Sequence, residues 1–104
     1  MSVKYYEALK EQSLVKVNHK IHYYNALISQ LEEQQRSFFA TIEGGQRSSS
    51  LGALPDKDQK RISSIYKQIN HAVDGLAYQL AKLAQKTRYY DALIDIAKKY
   101  SNAE

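Results

Sequence analysis

Cysteine is absent from the 104 residues and proline occurs once. Without cysteine there are no disulfides, no thiolate metal ligands and no thiol nucleophile. Glycine is nearly as scarce. Three of the four glycines, Gly44, Gly45 and Gly52, share a single stretch with Pro55, so little else interrupts regular structure. No uninterrupted apolar run approaches the ~18 residues of a membrane span. Residues 1–7, Met-Ser-Val-Lys-Tyr-Tyr-Glu, lack the basic-then-apolar order of a secretory signal, which makes the cytoplasm the expected compartment. No glycine-rich phosphate cradle, serine elbow or HExxH occurs, so neither an enzyme nor a cofactor is expected.

What is present is helical. Apolar residues recur at alternating spacings of three and four on both sides of residues 44–56. In the first segment the stripe runs Leu14, Val17, Ile21, Tyr24, Ile28, Leu31, Phe38 and Ile42, with Gln35 as its polar intruder. In the second it runs Ile62, Tyr66, Ile69, Val73, Leu76, Leu80, Leu83, Tyr90, Ile94 and Ala97, with Thr87 as the intruder. A seven-residue repeat of this kind forms a left-handed coiled-coil seam, because 3.5 residues per turn falls short of the helix's own 3.6.

The expected fold is all-α: a helix over about 2–43, a loop over about 44–55 and a helix over about 56–101, making one antiparallel hairpin domain. Gly44 and Gly45 suit a left-handed helix C-terminus, Pro55 suits the first turn of the next helix, and Asp56 and Asp58 complement its dipole. Folding back across a loop of about a dozen residues sets Ile42 opposite Ile62 and Val17 near Thr87. The alternative is four shorter helices, with turns near Asn18-His19 and at residues 70–75. Gly75 reads as a tolerated glycine inside the second helix.

One hairpin buries only a narrow seam, whereas here Leu27, Phe39, Ile65, Ala72 and Leu93 spill onto flanking positions. The economical remedy is a homodimer forming a four-helix bundle, or a different helical protein supplying the missing helices. Its core would draw on Ile21, Tyr24, Ile28, Leu31 and Phe38 from the first helix, and on Ile69, Val73, Leu76, Leu80 and Leu83 from the second.

Tyrosine is the unusual component, with nine residues, six of them in the doublets Tyr5-Tyr6, Tyr23-Tyr24 and Tyr89-Tyr90. Tyr89, Leu93, Ile96 and Tyr100 form a second stripe, expected near Val3, Tyr6 and Leu9 at the hairpin's open end. Tyr6, Leu9, Tyr89, Leu93, Ile96 and Tyr100 are thus the candidate partner-binding residues, aromatics with a polar handle being enriched at binding hot spots.

A second candidate surface is basic. It combines Lys16, His19, Lys20 and His22 with Lys82, Lys86 and Arg88, interleaved by Tyr23 and Tyr89, within a chain of net charge +4. Such a patch suits phosphates, whether of nucleic acid or of anionic lipid. The histidine pair His19 and His22, and His71 with Asp74, lack the further ligands that a metal needs. Arg47-Ser48-Ser49-Ser50 reads as a flexible linker that a basophilic kinase would also accept. The leading expectation is an interaction module (scaffold, adaptor or assembly chaperone); the alternative is a small basic helical protein binding nucleic acid or an anionic membrane.

Overall fold

The structure, a computed structural model, describes residues 2–45 and 55–103, with side chains described through Thr41 in the first helix and Ser101 in the second. Two helices, α1 (Val3–Gly45) and α2 (Asp56–Ala103), pack against each other as a helical hairpin. Both run unbroken through Asn18-His19 and through residues 70–75, which rules out four short helices. The Arg47–Ser50 segment lies outside the described residues.

The helix starts follow from their local chemistry. Ser2 Oγ accepts the Tyr5 amide at 3.3 Å, satisfying one of the donors that a helix N-terminus leaves unpaired. Pro55 stands just before α2, and its carbonyl accepts the amides of Asp58 and Gln59 at 3.0 Å. Asp56 and Asp58 lie in the first turn of α2, where the helix dipole favours negative charge. At the other end of α1 the expected left-handed glycine is not found. The helix includes Gly44 and Gly45, and no described glycine has a positive φ.

The chain divides into two compact units: Met1–Tyr23 with Leu76–Glu104, here unit 1, and Tyr24–Gly75, here unit 2. In unit 2 the seam buries Leu31 from α1 and Ile62, Ile65 and Ala72 from α2, with Tyr24, Ile28, Phe38 and Ile69 half-buried around them. Phe38 and Phe39 pack on Ile62. In unit 1 it buries Val17, Ile94 and Ala97 together with the amide of Gln79, whose Oε1 has no hydrogen-bond partner.

Two expectations about this seam are overturned. Tyr66, Val73 and Leu80 stand outside it, with Val73 and Leu80 44% and 47% exposed. Their places are taken by Ile65 and Ala72 in unit 2 and by Gln79 in unit 1, one residue earlier in each heptad. The pairing is also offset by about one helical turn. Phe38 and Phe39 meet Ile62, the side chain of Ile42 lying outside the described residues, and in unit 1 it is Ser13 that the Lys86 ammonium reaches.

The reason is steric. A β-carbon at Gly75 would stand 2.6 Å from Cε1 and Cζ of Tyr24, so the ring occupies the one place in α2 that lacks a side chain. Small residues admit the close helix approach, and Ala72 and Ala97 are accordingly the most buried of the apolar residues. Ranking by size alone selects the bulkier row beside them.

Candidate interaction surface

Counting heptads outward from the seam sorts the remainder of unit 1 by side. The facing row is Val3, Tyr6, Lys10, Ser13 and Val17 on α1, and Leu76, Gln79, Leu83, Lys86, Tyr90, Leu93, Ile94 and Ala97 on α2, every one buried or half-buried. On one side of it Lys10 Nζ meets Asp91 Oδ1 at 2.6 Å. On the other, Lys86 Nζ donates to the Ser13 carbonyl at 3.4 Å.

The two sides differ in charge. The Lys86 side presents Tyr5, Lys16 and His19 from α1, then Tyr78, Lys82, Tyr89, Ile96 and Lys99 from α2. Among the described residues it carries no carboxylate. Glu7, Glu11 and Asp91 fall on the Lys10 side, with Leu80, while Arg88 and Asp95 point away from the seam. Unit 1 also holds the chain's entire positive excess, with nine of the fifteen Lys and Arg against five of the eleven Asp and Glu.

The tyrosine doublets are built alike at the two places where they meet on this side. Tyr5 stands edge-to-face with half-buried Tyr6 at 5.3 Å, and Tyr89 with half-buried Tyr90 at 5.1 Å. The inner ring anchors in the seam and orients the outer one, leaving Tyr5 and Tyr89 about 60% exposed. Tyr78 is equally exposed, and Lys82 Nζ lies 5.8 Å from its ring centroid.

The residues expected to bind partners therefore divide. Tyr89, Ile96 and Tyr100 are exposed, whereas Tyr6, Leu9 and Leu93 are half-buried. Of the expected basic patch, Lys16 and Lys82 share a side and Lys20 is exposed, but Lys86 belongs to the seam and Arg88 sits with Asp91 and Asp95 along a shallow groove of α2. Of the expected oligomer core, Leu31 is buried, Val73 and Leu80 are exposed, and Ile21, Tyr24, Ile28, Phe38, Ile69, Leu76 and Leu83 are half-buried.

In unit 2 a shallow depression lies between Glu33, Ser37, Phe38, Thr41 and Arg61, whose guanidinium stands 5.2 Å from the Phe38 ring centroid. Glu33 is engaged with Arg36 at 2.6 Å on the same helix. Among the described residues no ion pair crosses the depression. Among the described residues no three His, Cys, Asp or Glu converge on a metal position, and no helix is long and apolar enough to cross a membrane.

Gly75 and Gln79 carry packing consequences that composition alone does not reveal. The signal for Gly75 was its isolation in a helix otherwise without glycine. No family model, curated protein or solved structure matches the chain.

Proposed function

We propose that the chain is a non-enzymatic protein-protein interaction module, a helical hairpin that self-associates into a larger bundle and docks partners through the tyrosine-rich side of unit 1. One observation carries this reading. Among the described residues the hairpin buries seven apolar side chains and leaves ten large ones exposed. Soluble monomers rarely keep so much apolar surface uncovered beside a seam, and a second pair of helices would cover it. In unit 2 Tyr66 and Val73 form an exposed apolar flank on which further helices would pack, and in unit 1 Leu80 is exposed in the same way.

Light scattering on the purified chain across a range of concentrations tests self-association. A dimer is expected, and Val73→Glu or Leu80→Glu should dissociate it while leaving each hairpin helical. Substituting Leu31 is no test, because it is buried within the hairpin and its loss would unfold the chain. A monomer that persists at high concentration ends the bundle reading. For the tyrosine side, Tyr89→Ala with Ile96→Ser should preserve helicity and abolish capture of whatever protein co-purifies with the chain from its own cell.

A further inference from the structure

The Lys86 side of unit 1 has a chemistry that protein docking does not require. Along about 30 Å of helix this side carries the rings of Tyr5, Tyr78 and Tyr89 together with Lys16, Lys82 and Lys99, and all described carboxylates of the unit are kept off it. We infer that the partner this side takes is single-stranded nucleic acid rather than a second protein, the rings stacking on bases and the lysines holding phosphates. Two observations beyond charge support that occupant. Tyr5 and Tyr89 are held edge-to-face by a seam tyrosine, so their orientation is set before any ligand arrives. Lys82 Nζ lies over the Tyr78 ring, 5.8 Å from its centroid, so a cation and an aromatic ring stand side by side on this face.

Other anionic partners fit less well. A duplex hides its base faces, and this side has no arginine to read a groove edge. A bilayer is gripped by a continuous Leu, Phe or Trp stripe, whereas here Ile96 is the one exposed aliphatic side chain larger than alanine. The inference is independent of self-association, which places Leu80 on the opposite side.

The test titrates the full chain into fluorescein-labelled oligo-dT of about 16 nucleotides, the upper range for one small binding surface. Anisotropy reports binding. Because the chain contains no tryptophan, its tyrosine emission is directly observable and should be quenched by stacking. Binding at low salt is expected, with a log–log salt slope of about −2 for three lysine–phosphate contacts. Tyr78→Leu and Tyr89→Leu should each weaken it about tenfold and reduce the quench. Lys16→Gln with Lys82→Gln should flatten the slope, whereas Arg88→Gln, pointing away, should change affinity less than twofold. Leu80→Glu should dissociate any dimer without altering binding. No oligonucleotide binding at low salt overturns the inference, as do folded tyrosine variants that bind like the parent. Capture by phosphatidylserine vesicles without oligonucleotide binding assigns the side to a membrane and overturns it as well. A dimer that binds no oligonucleotide leaves the interaction module standing and ends only this inference.

Discussion

The Tyr24 ring lies where a β-carbon on Gly75 would be, 2.6 Å from its Cε1 and Cζ and 2.9 Å from its hydroxyl oxygen. In an exposed helix, glycine to alanine stabilises by about 1 kcal/mol. Here Gly75→Ala must displace an aromatic ring from a packed seam, at a cost of about 1–3 kcal/mol. Urea denaturation followed by circular dichroism should therefore show no gain, or a loss. In a Tyr24→Ala background the same substitution should stabilise by roughly its intrinsic propensity. Equal stabilisation in both backgrounds would mean that the ring moves aside at no cost.

The two candidate rows of α2 make opposite predictions under truncation. Ile65→Ala removes a buried side chain and should cost about 2–4 kcal/mol. Val73→Ala in the dissociated hairpin should be neutral or stabilise by up to about 0.5 kcal/mol, since alanine is the better helix former. In the proposed dimer, Val73→Ala should instead raise the dissociation constant. Comparable losses at both positions in dilute monomer would place the seam through Val73 after all.

Gln79 is buried in the seam with its Oε1 unpaired. A buried acceptor without a donor costs about 1–3 kcal/mol, and leucine or methionine occupies a similar volume without that penalty. Gln79→Met should raise the melting temperature. A polar seam residue can restrict register at the expense of stability, so the variant is also expected to be less strict in its association state. A lower melting temperature would show that the amide is satisfied in solution.

The Lys10–Asp91 pair is short at 2.6 Å, but its side chains are 30% and 51% exposed. Solvent screening holds such a pair to about 0–1 kcal/mol. Asp91→Asn should accordingly shift denaturation midpoints slightly at low ionic strength and not at all in high salt. A large, salt-insensitive loss would contradict the exposed geometry.

Much of the fold could be read directly. Helix type, the number of helices and the approximate ends follow from spacing and from the Gly44–Pro55 stretch, because these are local properties of the backbone. The exposure of the candidate surface was legible in part. Tyr89, Ile96 and Tyr100 emerge exposed as their second stripe implied, and Lys16 and Lys82 share a side. Lys86 left the patch because a lysine's stem packs in a seam as readily as it extends from a face, and Arg88 because its heptad position faces away from the seam beside Asp91 and Asp95.

The tyrosine-bearing, cysteine-free chain thus settled by itself that it would form two amphipathic helices with more apolar surface than one seam absorbs. Periodicity alone carries that information. Which row turns inward was decided only in the tertiary structure, since rows one residue apart are nearly equivalent on an isolated helix. Interhelical distance breaks the tie. In unit 2, where Tyr24 meets Gly75 and Ala72 is buried, the small residues take the interior and the larger Val73 is left to the surface.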